Sequence, residues 1–481
     1  MSTRPMRTPA RLLFALAFGG IGAACGNPDP GPIVFPPPPP PVPPRPSDTP
    51  GRKVTVPVTC PTKPVDSSRT RVMVVDSGFD PRHPIFEGKI AGCYRIDCPT
   101  FPSFSYPRGE SDDDTAARLV AYLQEPEPAC TLTEGFDIEV DPYLEYMDPK
   151  LRDTWNGALL GKRELSAEWP VSSILRATAN AAYHGTATAG AVAYQNDVDI
   201  VAVQIKLGLP GEPSGDPVPC PKQTDIDRHT RLLSRTDVSE AYVSSPLDGE
   251  EQILIALRQQ QGIRIENHSY GVPTTKERQS KLFWAGCGFV SLAEDARVQG
   301  ELEAARLANL TARGVFDGTD VVILQSGGND GDPIDDVGDD FDCVPGQLHH
   351  LLVGSYEIYR EQAVRSGFSN FGNCVDAYAL GESVILPSAA GFYGVVSGTS
   401  FSSPLATRYA SLLAGESPTA ATLREKVLSV IDEHRFLPLG LMPRELSYHS
   451  STTADAGAHQ TSLAPLRVDR PRRAAPIHGM F

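Results

Sequence analysis

Five short runs of branched apolar residues, each closing on a polar or glycine-rich stretch, constrain this chain more than any other feature. They are TRVMVVDSGFD (70 to 80), DIVAVQIK (199 to 206), GIRIENHSYG (262 to 271), DVVILQSGGND (320 to 330) and LHHLLVGSY (348 to 356). Continuous rather than alternating apolarity marks strands covered on both faces. Between them lie stretches of helical period such as DGEEQILIALRQQQ and AEDARVQGELEAARLANLTAR. Strands alternating with helices predict an α/β fold built on a doubly wound, mostly parallel sheet flanked by helices. In such sheets ligands sit beyond the carboxyl ends of the strands, so the polar residues there are the first candidates for chemistry.

At 481 residues and 40% apolar content the chain can bury a large core. Its net charge of -16 argues against a general nucleic-acid binder, since phosphate recognition needs clustered cations. Residues 1–25 read as a secretion signal: Arg4, Arg7 and Arg11 precede LLFALAFGGIGAA, which ends in small residues before Cys25. The ending GAAC resembles the lipobox of bacterial lipoproteins, with Ile21 one place further upstream than usual, and Cys25 is the expected lipidation site that would tether the chain to a membrane. Residues 26–52 form a proline tract suited to a stiff stalk. The other eight cysteines, Cys60, Cys93, Cys98, Cys130, Cys220, Cys287, Cys343 and Cys374, form an even set that fits an oxidising compartment, with their pairing open. No CxxC pair occurs, which argues against a zinc ribbon.

Three Pro-rich or acidic segments, about 91–180, 207–246 and 330–343, fit the strand-helix alternation poorly and are expected to be surface insertions in a domain spanning 53–445. The tail 452–481 lacks periodicity and is expected to be disordered.

Four polar positions stand at strand ends or helix starts. Asp76 follows MVV directly, and a carboxylate there needs a partner. His184 opens YHGTATAGAVA, where small residues let a helix beginning at the histidine pack closely. Asn329 follows Gly327 and Gly328, where a side-chain N–H could face a developing oxyanion. Ser400 lies in SGTSFSSP, where a small-residue turn would present its hydroxyl at a helix N-terminus started by Ser403-Pro404. Taken singly, each has an ordinary structural explanation: a capping serine, a turn asparagine, a surface histidine.

Taken in the order Asp, His, Asn, Ser, the motifs VVDSGFD, HGTATAG, QSGGND and SGTSFSSP resemble those of the subtilisin-like serine proteases, or subtilases (peptidase family S8). SGFSNFGNCVDAYALG (366 to 381) brings the likeness closest to the proteinase K branch. The resemblance covers about residues 70 to 430. It implies a serine endopeptidase with Asp76, His184 and Ser400 as triad, Asn329 as oxyanion donor, and a polypeptide substrate lying beside Ser269, Tyr270 and Gly271 of NHSYG, with Gly327 and Gly328 also lining it. Asp330 would fall at the rim of the pocket for the residue before the cut, predicting tolerance of Lys or Arg there. No cofactor is implied for catalysis, and a monomer is expected.

Subtilases often bind structural calcium. Asp332, Asp335, Asp336, Asp339, Asp340 and Asp342 could supply ligands, yet the run lacks EF-hand spacing and a solvated acidic loop stays open. The chain also departs from the family at Ala187, Phe401, Leu405 and Ala406, none of them triad positions. With about 45 residues between Cys25 and the first of these strands, the usual prodomain is not expected. Folding aided by disulfides and latency through an insertion over the cleft are the corresponding expectations. The rival from another class is a silent subtilase-fold peptide-binding module. An α/β-hydrolase would need G-x-S-x-G and the order Ser, Asp, His, which this chain lacks.

Overall fold

The run before Asp76 sits at the middle of the central sheet, and its alternation explains why. Val72 and Val74 enter one core, Met73 and Val75 the other, and all four are buried. Each such side chain contributes about 1.5–3 kcal/mol when removed from water, so a strand apolar on both faces is stable only between two helical layers.

The computed structural model describes residues 54–60, 68–99, 104, 109–125, 129–140, 149–161, 181–205, 220–271, 274–336, 338–339, 343, 349–359, 362–432, 434–438, 442–443 and 446–447. All belong to one compact unit; the second unit, His449–Phe481, lies outside them. The expectations for the signal and Cys25, the stalk, Asp340, Asp342 and the tail also fall outside the described residues.

The strands are β1 (Val54–Val58), β2 (Thr70–Asp76), β3 (Ile90–Asp97), β4 (Thr131–Glu134), β5 (Phe136–Val140), β6 (Val198–Ile205), β7 (Ile265–His268), β8 (Val322–Ser326), β9 (His350–Tyr359), β10 (Gln362–Arg365), β11 (Ala377–Leu380), β12 (Val384–Pro387) and β13 (Tyr393–Val396). The helices are α1 (Asp112–Gln124), α2 (Pro149–Leu160), α3 (Ala181–Ala193), α4 (Gln223–Leu233), α5 (Thr236–Val243), α6 (Gly249–Gln261), α7 (Thr275–Leu282), α8 (Ala293–Ala312), α9 (Thr399–Ala414) and α10 (Ala420–Ser429).

The main sheet runs β10-β9-β8-β7-β2-β6-β3-β4, with β11 also on β9. Its interior pairs are parallel, and the antiparallel pairs β10/β9 and β3/β4 lie at its ends. This is the predicted α/β architecture. From β2 the chain adds β3 and β4 on one side, with β6 later inserted between β2 and β3, and then β7 to β10 on the other, so the crevice between β2 and β7 is the topological switch point. Asp76 and Ser269 stand at its mouth.

Three local readings need correction. β3 lies almost wholly within the segment expected to be a surface insertion from residue 91, yet it pairs in parallel with β6. Gly92, Cys93 and Arg95 interrupt its apolar run, which is why it did not read as a buried strand. α3 begins at Ala181, one turn before His184, because alanine extends a helix readily. α9 begins at Thr399, so Pro404 lies inside it rather than at its start. A proline there has no N–H for the Ser400 carbonyl, which loosens the helix where the serine sits.

The additions after β3 and β6 share a core of their own. Leu119 and Leu123 of α1 pack with Leu232 and Leu233 of α4, Ala241 and Tyr242 of α5, and Val298 of α8. Four disulfides use all eight cysteines after Cys25: Cys60–Cys93, Cys98–Cys130, Cys220–Cys287 and Cys343–Cys374. No described helix is long and apolar enough to cross a membrane.

Candidate active site

Asp76 ends β2, 3% exposed, and its carboxylate is answered on every side. The Ser77 backbone N–H donates to Oδ1 at 2.7 Å and the Ser77 hydroxyl at 3.0 Å. The Thr188 hydroxyl donates to Oδ2 at 3.0 Å. His184 Nδ1 lies 3.0 Å from both oxygens. A carboxylate so placed orients the imidazole with Nδ1 as the donor, which makes Nε2 the acceptor nitrogen of the neutral ring. Burial of the His184 ring opposes its charged form, but the Asp76 charge and hydrogen bond outweigh that and raise its pKa above the usual 6.5.

His184 can come this close because the next residue is glycine. A β-carbon on Gly185 would lie 1.9 Å from the Gly78 carbonyl oxygen and 3.3 Å from Asp76 Cβ. The helix therefore meets the end of β2 backbone to backbone.

Ser400 is the second residue of α9, 9% exposed. Gly398 caps the helix at φ 152°, a conformation that side chains rarely adopt, and its N–H donates to the Gly381 carbonyl at 2.8 Å. Phe401 stacks obliquely on His184 with centroids 5.4 Å apart, so the serine's neighbour packs on the histidine.

Asn329 is oriented by Thr399, whose backbone N–H and hydroxyl both donate to Asn329 Oδ1, at 2.8 and 3.0 Å. Two donors on one atom identify it as the carbonyl oxygen, so the exposed amide points its N–H groups away from Thr399. Gly398 is near this amide: a β-carbon there would be 3.7 Å from Nδ2. The preceding turn is held by Gly327 N–H to the Val353 carbonyl at 2.8 Å and Gly328 N–H to the Thr399 hydroxyl at 3.1 Å.

Asp330 is fixed by Asn370, whose Oδ1 accepts from its backbone N–H at 3.0 Å and whose Nδ2 lies 3.5 Å from its carboxylate. Although the residue as a whole is exposed, desolvation of its carboxylate against Asn370 and α7, then the hydrogen bond and charge of Glu277 on α7, push its pKa up to about 7. Ser269 and Tyr270 follow β7 with buried side chains, so only their backbone is available to a ligand; Gly271 is half-buried. Asn267 accepts from Ser403 at 2.9 Å and Thr407 at 3.2 Å of α9, and donates to Ser269 at 2.8 Å.

Thr188, Thr399, Asn267 and Asn370 were not singled out from sequence. Thr399 adjoins Ser400, but only the fold turns it toward Asn329. In the acidic loop, Asp335 Oδ1 accepts the Asn373 N–H at 2.8 Å and Asp336 Oδ1 the Gly338 N–H at 2.8 Å. Among the described residues no group of three or more His, Cys, Asp or Glu could hold a metal ion.

The model of the subtilase family matches residues 67–454. This chain is a subtilase. As such it is a serine-type peptidase acting on polypeptides, and subtilases need no cofactor for catalysis. Solved structures similar to this subtilase include a cold adapted subtilisin-like serine proteinase (17% identity, 79% of this chain and 91% of that one, TM-score 0.35). A mutant of the protease domain of PatA (15%, 77% and 93%, TM-score 0.35) and sphericase (13%, 76% and 85%, TM-score 0.35) are also similar. No curated protein matches the subtilase's sequence.

Proposed function

We propose that this subtilase is an endopeptidase in which Ser400 attacks the scissile carbonyl, His184 Nε2 takes the serine proton, and Asp76 holds the imidazole and its charge. Asn329 Nδ2 and the Ser400 backbone N–H receive the oxyanion. His184 then returns the proton to the leaving amine, and water releases the acyl group by the same route in reverse. The observation that carries this reading is the buried hydrogen bonding of His184 Nδ1 to a fully furnished Asp76. The fixing of Asn329 by the residue before the serine supports it.

The substrate lies extended beside Ser269, Tyr270 and Gly271, held by backbone hydrogen bonds. Asp330 favours Lys or Arg before the cut; a peptide library excluding both would overturn that part. The enzyme acts outside the cytoplasm, held through Cys25 by a lipid anchor and a proline stalk, as a monomer of the proteinase K-like branch. Four disulfides are consistent with that compartment.

Fluorophosphonate labelling of the full chain, compared with Ser400→Ala and followed by peptide mapping, tests the reading. An adduct on Ser400 that vanishes in the variant supports it. Folded parent protein that neither labels nor cleaves peptide would favour a silent binding module.

A further inference from the structure

We infer that His268 is a positioning residue that sets where the segment Ser269–Gly271 lies relative to Ser400. This rests on the peptidase reading above and deepens it.

The two faces of β7 are tied to different helices. On one, Asn267 accepts from Ser403 and Thr407 of α9, the helix that carries Ser400. On the other, Glu266, His268 and Tyr270 point toward α6, as a two-residue period requires. There the Tyr270 hydroxyl meets His268 Nδ1 at 2.9 Å, and His268 Nε2 bonds Glu266 Oε1. Glu266 takes two hydrogen bonds from Arg258, at 2.6 and 3.0 Å, and Arg258 reaches Glu251 at 2.6 Å. The substrate segment is therefore gripped from both sides.

The protonation states give this chain of contacts a direction. Burial and then the charges of Glu250, Glu266 and Glu251 keep the Tyr270 phenol protonated, so it has a proton to donate to Nδ1 of the neutral ring whose Nε2 faces Glu266. His268 must then donate from Nε2 to Glu266. Burial works against the Glu266 charge, yet Arg258 and His268 hold its pKa down to about 2. Arg258 is 4% exposed and Glu266 0%. Apolar residues in such places are commonly as stabilising as a buried ion pair. What the charged chain adds is directionality: it fixes a ring whose own backbone is the substrate's partner.

The test compares His268→Gln and His268→Asn in the full chain. Glutamine keeps a donor near Nε2 for Glu266 and loses the acceptor for Tyr270; asparagine keeps an acceptor near Nδ1. On a peptide extending at least four residues before the cut, His268→Gln should raise KM about tenfold, the cost of one buried hydrogen bond, with kcat changed less than about twofold. His268→Asn should recover most of the loss. Tyr270→Phe, which removes only the hydroxyl, should raise KM alike even if the histidine variants fold poorly. The rate of fluorophosphonate labelling at Ser400 should stay at the parent level in His268→Gln. A parent that labels, with KM unmoved in His268→Gln and Tyr270→Phe, overturns the inference alone, as does labelling that falls in step with kcat/KM. A parent that neither labels nor cleaves overturns the peptidase reading and this inference with it.

Discussion

His184 is the residue through which pH acts on the proposed catalytic step, while Asp330 titrates at the pocket beside it. The raised pKa of His184 means that folding favours the imidazolium. The associated stability is complete below the unfolded value and is lost as pH rises through the folded one. The proposed mechanism runs the other way, because in it His184 must be neutral to accept the serine proton. The acid limb of kcat/KM should therefore lie above the ordinary 6.5, and Asp76→Asn should move it down; a pH-rate profile of peptide hydrolysis checks both. Asn329 is a separate case. Its carbonyl is taken by Thr399, so its N–H groups are the part free to meet an oxyanion. Asn329→Ala should lower kcat by about 10²–10³, roughly 3–4 kcal/mol, with KM little changed in steady-state assays.

At the scale of elements, the site depends on how closely α3 approaches β2. Gly185→Ala would set a methyl 1.9 Å from the Gly78 carbonyl, between two backbones that cannot yield independently. The variant should lose about 3 kcal/mol or more in urea unfolding, with peptidase activity falling alongside as His184 leaves Asp76. The glycine after His184 read in sequence as a close-packing residue, and that is its role. The proline after Ser403 misled. Pro404 suggested a helix start, whereas α9 already begins at Thr399 and the proline frees the Ser400 carbonyl inside it. Local preference for proline near a helix N-terminus spans several positions, and only the packing of α9 on β7, β8 and α3 selects among them.

For the whole molecule, four covalent links close loops with separations of 33, 32, 67 and 31 residues. Replacing Cys343 and Cys374 together by serine should lower the unfolding free energy by about 2–4 kcal/mol, seen as a shifted denaturant midpoint with the slope nearly kept. The pairing was not legible beforehand, because an even count of cysteines says nothing about which loops meet. The layered sheet was legible. A run such as VMVV before Asp76 is stable only when covered on both faces, so apolarity and period fix strand type and hence architecture. Asp76, His184, Asn329 and Ser400 could be named as candidates only from their motifs taken in order, and the fold sets His184 against Asp76 and Thr399 against Asn329. β3 was hidden, because Gly92, Cys93 and Arg95 break its pattern and only its pairing with β6 makes it a strand. Thr399 turning to Asn329, Asn370 holding Asp330, and the chain from Arg258 to Tyr270 were likewise decided by the tertiary structure. Sequence determines what each segment must bury or expose; which polar groups then face one another depends on distances between elements far apart in the chain, and those exist only once the layers have packed.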